Sequence, residues 1–136
     1  MKRTKNDVYL KLSFFIGGIY NIVMGFILIF FYETLLSLFE IQHTEIIFVQ
    51  TTALFLIVVG YLLIYAVQNP RKLAIIGMTS VVTRLVYFIT IIFNFISQGT
   101  EIVYLLFGLI DGIIALIILI PLLLTEGVSW KQIWHF

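Results

Sequence analysis

The chain has 136 residues, of which 62% are hydrophobic and 11% are charged, and its formal net charge is +1. A water-soluble domain of this length could not bury so much apolar surface, so the composition excludes an ordinary soluble fold. Cysteine is absent, which excludes disulfides, thiolate metal ligands and cysteine nucleophiles. The length fits a single membrane domain, residues 1–136.

Four nearly uncharged segments are each long enough to cross the roughly 30 Å hydrocarbon core of a bilayer. Their apolar residues are continuous rather than alternating with polar ones, which favours helices over a β-barrel. The sequence therefore predicts an all-α integral membrane protein, an antiparallel bundle of four transmembrane helices. The predicted spans are residues 9–32, 46–67, 73–96 and 102–125.

The basic residues lie on one side of the predicted membrane. Lys and Arg occur before the first span, between the second and third spans, and after the fourth, whereas the other two connections contain neither. Because Lys and Arg accumulate in cytoplasmic loops, both termini are predicted to be cytoplasmic. The expected location is the cell (cytoplasmic) membrane, which the chain crosses several times.

Two segments outside the spans are amphipathic. Residues 33–41 combine leucines and a phenylalanine with polar side chains, which predicts a short helix lying on the outer membrane surface. Residues 128–136 contain Trp130 and Trp134 beside Lys131, which predicts a cytoplasmic amphipathic tail anchored at the inner leaflet.

Two charges interrupt the apolar segments. Arg84 lies in the middle of the third span and Asp111 in the middle of the fourth, and the turn Ser97-Gln98-Gly99 separates the two spans. If the spans fold back on this turn, the backbone heights of the two residues differ by on the order of 5 Å. A lone charge at the bilayer centre costs at least ~2.5–3.5 kcal/mol, so the two side chains are predicted to pair.

Polar and small residues recur at helical spacing on the faces that carry the two charges. They include Ser80 and Tyr87 on the third span and Tyr104 and Gly108 on the fourth, while Tyr20-Asn21 lies in the middle of the first span. The predicted site is therefore an ion pair, either ligand-binding or structural, beside a polar cavity. The pair is Arg84 and Asp111, and the cavity-lining candidates are Asn21, Tyr20, Ser80, Tyr87, Tyr104 and Gly108.

The stretch from Gly17 to Leu124 contains several short motifs: Tyr20-Asn21 and Gly25, a Leu-Leu-x-Leu-Phe segment after the first span, Gly60-Tyr61 before Asn69-Pro70-Arg71, a basic residue in the third span, and Asp111 after a glycine in the fourth. In these motifs it resembles the small four-span bacterial membrane proteins of the DoxX-like group. Most of this group is uncharacterised, and some members are linked to quinone-dependent or redox membrane complexes. The resemblance implies a four-helix fold in the bacterial inner membrane.

Three functions stay open at this point. The first is a binding or transport protein whose polar cavity takes a lipid-like, quinone-like or amphipathic small molecule, with Arg84 holding its polar head. The second is a non-catalytic accessory or assembly subunit of a membrane complex, in which the ion pair is only a structural lock. The third, a small multidrug-type exporter, ranks lowest because that group needs an acidic residue in the first span, where this chain has Tyr20 and Asn21.

An enzyme is not favoured, because no Ser–His, two-carboxylate or metal-ligand arrangement occurs at a usable spacing. His43 lies between Glu40 and Glu45, but this spacing matches no strong ligand motif, so neither a metal nor a cofactor is predicted. Membrane lipid is the expected partner and nucleic acid is not. Small residues at Gly18, Asn21 and Gly25 form a face for close helix packing, and such faces predict a homodimer.

Overall fold

The computed structural model describes residues 5–38, 46–99 and 102–125. Within these ranges the chain is helical and contains no strand. Four of its helices are long and apolar enough to cross a membrane, which indicates a multi-pass membrane protein. The helices are α1 (Lys5–Phe30), α2 (Tyr32–Leu38), α3 (Ile46–Ala66), α4 (Ala74–Gln98) and α5 (Ile102–Leu124).

The turns between the long helices follow from local sequence. After α3 ends at Ala66, the backbone N–H groups of residues 67–69 bond to carbonyls three residues back, and Pro70 then disfavours helix at Asn69. Helix α4 ends at Gly99, whose φ of +63° is left-handed and whose N–H bonds to the Phe95 carbonyl at 3.2 Å. Glycine adopts this conformation without the steric cost that other residues meet.

Some helix bounds differ from those predicted from the sequence. Helix α1 begins at Lys5, ahead of the predicted position 9, and only Phe31 separates it from α2. Helix α2 contains no buried residue, and the end of the predicted interfacial helix, residues 39–41, lies outside the described residues. His43 and the predicted tail, residues 128–136, also lie outside them.

The four long helices form a ring of antiparallel neighbours. Helix α1 packs most extensively on α3, and α4 on α5, while contacts of α1 with α5 and of α3 with α4 complete the ring. The antiparallel direction of α1 and α3 is clear from their contacts, since Gly18 lies against Gly60 and Gly25 against Ala53. Helices α1 and α4 are consequently diagonal to each other across the bundle.

The small-residue face predicted on α1 packs against α3 of the same chain. Gly18, Asn21 and Gly25 are all buried. A β-carbon added at Gly60 would lie 2.7 Å from the Gly18 carbonyl oxygen, so the two backbones are nearly in contact.

The contiguous apolar core fills only one half of the ring. We call the half that contains the α3–α4 turn the closed half, and the half that contains Gly99 the open half. In α4 the buried residues stop at Arg84. Beyond it, close contacts continue within each helix pair, as where Gly108 lies against Ile91. The core consists of Leu10, Phe14, Leu63, Ala66, Ala74, Val81, Ile114, Ala115, Ile118 and Leu122.

Candidate functional site

A charged network crosses the middle of the bundle and is centred on Arg84. Its Nη1 donates to Oδ1 of Asp111 on the neighbouring helix α5, which confirms the predicted ion pair. Its Nη2 donates to Oδ1 of Asn21 on the diagonal helix α1 at 2.5 Å. Its Nε donates to Oγ of Ser80, one turn earlier on α4, at 3.3 Å. One side chain therefore links three helices.

The Arg84 side chain is almost fully buried within the bundle. Only 6% of it is exposed, and its guanidinium carbon lies 5.7 Å from the centre of the Tyr20 ring, within range of a cation–π interaction. A buried charge is tolerated when it is paired and its hydrogen-bonding groups are satisfied. Each of the three guanidinium nitrogens donates to an oxygen of this chain.

The position of Asn21 depends on the close approach of α1 to α3. A β-carbon at Gly60 would lie 3.1 Å from the Asn21 β-carbon and closer still to backbone. Glycine at this position lets α1 lie near enough to α3 for Asn21 to reach the centre of the bundle. The α1–α3 contact and the charged network are therefore mechanically linked.

Asp111 is more accessible than its partner. Its side chain is 21% exposed, and Oδ2 accepts no hydrogen bond from the described residues. Tyr87, itself exposed, lies within electrostatic range of both Asp111 and Tyr104, and Tyr20 lies within range of Asp111. In the part of the chain that the structure describes, none of these three hydroxyls has a hydrogen-bond partner. Of these hydroxyls, those of Tyr20 and Tyr87 thus lie within electrostatic range of the carboxylate.

Two of the predicted cavity-lining residues have packing positions instead. Ser80 is buried beside the Arg84 guanidinium. Gly108 is buried in the contact between α5 and α4, where an added β-carbon would lie 3.1 Å from Ile91.

The structure contains a second ion pair, which the sequence did not predict. Arg71, in the α3–α4 turn, donates through Nε and Nη2 to the two carboxylate oxygens of Asp7 on α1, both at 2.8 Å. Next to it, the side-chain amide of Asn6 donates to the Leu124 carbonyl at the end of α5 at 3.1 Å. The available signal was that Asp7 is the single acidic residue among the basic residues that open the chain.

A groove between α1 and α5 was also missed. It has a volume of about 220 Å³ and opens to the outside of the bundle in the closed half. None of the predicted site residues contributes to its walls. The walls are formed mainly by Tyr9, Leu12 and Ile16 of α1 and by Ile117, Ile120 and Leu124 of α5.

In the described ranges, no group of three His, Asp or Glu side chains lies close enough together to hold a metal ion. No protein-family model, curated protein or solved structure matches the chain. The DoxX-like resemblance, and the link to quinone chemistry that it implies, therefore stay predictions.

Proposed function

We propose that the protein is a multi-pass protein of the cytoplasmic membrane that binds a lipid-like, quinone-like or other amphipathic molecule, with the polar head of that molecule on Asp111. The free Oδ2 of Asp111 carries this proposal. The carboxylate lies between apolar helices yet is 21% exposed, and Arg84 engages only Oδ1. An acidic side chain at the centre of a transmembrane helix costs about 2.5–3.5 kcal/mol unless a polar group meets it.

We place such a molecule in the open half, next to Asp111. The buried residues of α4 stop at Arg84, so in this proposal the charged network forms the floor of the binding site. A hydroxyl or amine of the guest donates to Asp111, and carbonyl oxygens accept from Tyr87 and Tyr104. The apolar part of the guest lies along the helices beyond this floor.

We assign the head to Asp111 and the tyrosines rather than to Arg84. Every guanidinium nitrogen already donates within the chain, and the side chain is almost fully buried. An anionic head on Arg84 would have to reach a guanidinium that is only 6% exposed and is already held by Asn21 and Asp111.

Quantifying the small molecules that co-purify with the protein in a mild detergent, by mass spectrometry after solvent extraction, tests the proposal. We expect an amphipathic compound with the wild type and with Tyr61→Phe, a control at an exposed tyrosine of α3. Tyr87→Phe should lower its amount about fivefold, which corresponds to one hydrogen bond of about 1 kcal/mol. Equal amounts in Tyr87→Phe and Tyr61→Phe would contradict the assignment.

The proposed topology places the closed half and both termini on the cytoplasmic side. Lys5, Lys11, Arg71 and Lys72 lie at that end, whereas no Lys or Arg lies in the described connections at the other end. Cytoplasmic loops carry this excess of basic residues. Because the chain has no cysteine, a single introduced thiol reports its own side.

A membrane-impermeant maleimide distinguishes the two orientations. In intact cells, Ser37→Cys on α2 should be labelled and Gln68→Cys in the α3–α4 turn should not. Both positions are exposed, so both should react after the cells are lysed. The reverse pattern in intact cells would overturn the topology.

A second candidate function is a non-catalytic accessory subunit in which the pair is a structural lock. The contacts of Arg84 with three side chains of its own chain favour it. In that case a helix of a partner protein supplies the donor to Asp111. Asp111→Asn would then release a protein from the purified complex, and the extracted small molecules would not change.

A further inference from the structure

We propose that the groove between α1 and α5 binds an anionic phospholipid of the cytoplasmic leaflet, with an acyl chain along the groove and the phosphate at Lys5. The groove, about 220 Å³, has apolar walls and ends at the polar side chain of Asn6. It lies in the closed half, apart from Asp111. The inference rests on the proposed membrane topology and is independent of the ligand proposed for Asp111.

The register of α1 places a cation at the mouth of the groove. Lys5, Tyr9, Leu12 and Ile16 follow one another at i, i+4, i+7 and i+11, which puts them on one helix face. Three of these residues line the groove. Lys5 therefore lies at the end of the same face, and it is exposed.

Lys5 has no ion pair with a described residue, in contrast to Arg71, which is neutralised by Asp7. A positive charge at the end of an apolar groove is complementary to an anionic head with an acyl chain below it. The cytoplasmic leaflet, where this end is proposed to lie, is rich in anionic lipids.

The length of the groove fits one leaflet. From Asn6 to Ile16 the helix rises by about 15 Å. Half of the hydrocarbon core of a bilayer is also about 15 Å thick. An acyl chain lying along α1 and α5 from the head at Lys5 therefore stays within this leaflet, since the walls end at Ile16 and Ile117, before the mid-span residues Asn21 and Asp111.

Native mass spectrometry of the full chain in detergent, with phosphatidylglycerol and phosphatidylcholine of identical acyl chains, tests whether the charge of Lys5 selects an anionic lipid. We expect the wild type to retain phosphatidylglycerol over phosphatidylcholine about fivefold, the effect of one lysine near a membrane surface. Lys5→Gln should abolish this preference. Lys72→Gln, which removes an exposed lysine in the α3–α4 turn, should preserve it. Equal retention of the two lipids by the wild type would overturn the proposal.

A matched pair of tryptophan variants tests the groove itself. Ile120 lines it and is 54% exposed, whereas Leu123, one turn further along α5, is 58% exposed and does not line it. Ile120→Trp should lower the retention of both lipids, and Leu123→Trp should leave it unchanged. Equal effects of the two variants, or dissociation of a dimer by Ile120→Trp alone, would contradict a lipid in the groove. The compound extracted with the Asp111 site should be the same in both variants, which separates this proposal from the proposed function.

Discussion

The chain contains two arginine–aspartate pairs that differ in geometry and in surroundings. Arg71 and Asp7 form two parallel hydrogen bonds of 2.8 Å at one end of the bundle, and their side chains are 22% and 14% exposed. Arg84 and Asp111 share one hydrogen bond in the middle, where Arg84 is 6% exposed. The pair with the better hydrogen-bond geometry is thus the one whose arginine is more accessible.

The number of hydrogen bonds in each pair therefore does not tell which pair is more costly to break. The side chains of Arg71 and Asp7 are partly accessible at the end of the bundle, so solvent screens part of their attraction. A buried pair is costly to form and far more costly to break, since the remaining charge has no water to replace its partner. The additional contacts of Arg84 with Asn21, Ser80 and Tyr20 supply the polar partners that a charge at this depth needs.

The largest expected effect comes from removing the buried cation. Arg84→Leu leaves Asp111 without a counter-charge and should lower the free energy of unfolding by about 3–5 kcal/mol. Arg71→Leu should cost about 1 kcal/mol or less. Denaturant titration in mild detergent, followed by circular dichroism, measures both. Arg84→Leu combined with Asp111→Leu should cost less than Arg84→Leu alone; a larger cost for the double variant would show that the unpaired carboxylate is not the cause.

The same contrast explains which pair could be predicted from the sequence. Arg84 and Asp111 each interrupt an apolar span, and a turn midway between them places them at one depth, so each is the natural partner of the other. Near Asp7 the sequence offers several cations, and only the geometry of the α3–α4 turn selects Arg71. Spacing along a helix cannot supply that geometry.

Other features of the site required the packing itself. Asn21 lies in the middle of the first span, and Arg84 reaches it across the diagonal of the bundle. The exposure of Asp111 depends on where the apolar core stops, and helix periodicity contains no such information. The groove between α1 and α5 depends in the same way on the separation of two helices.

An intermediate effect is expected where the backbone contact supports the central pair. Gly60→Ala places a β-carbon 2.7 Å from the Gly18 carbonyl oxygen and 3.1 Å from the Asn21 β-carbon. Overpacking of this kind costs about 1–3 kcal/mol. Gly112→Ala is the matched control, because the nearest atoms to its β-carbon would be those of the Phe88 ring, at 3.4 Å, an ordinary van der Waals contact. The same unfolding titration compares them, and a loss in Gly112→Ala as large as in Gly60→Ala would argue against strain at the α1–α3 contact.

The smallest expected effect is the change with salt concentration in the stability cost of breaking each pair. This change reports how accessible each pair is to solvent. Arg71→Gln should cost about 0.2–1 kcal/mol at low ionic strength, and less at about 1 M salt, where the Debye length is only about 3 Å. Asn21→Ala leaves an Arg84 nitrogen unpaired and should cost about 1–3 kcal/mol at either salt concentration. Buried charges are screened far less than exposed ones, so only the end pair should respond to salt. If the cost of Asn21→Ala fell with salt as much as that of Arg71→Gln, water and ions would reach the centre of the bundle, and Arg84 would not be sealed within it.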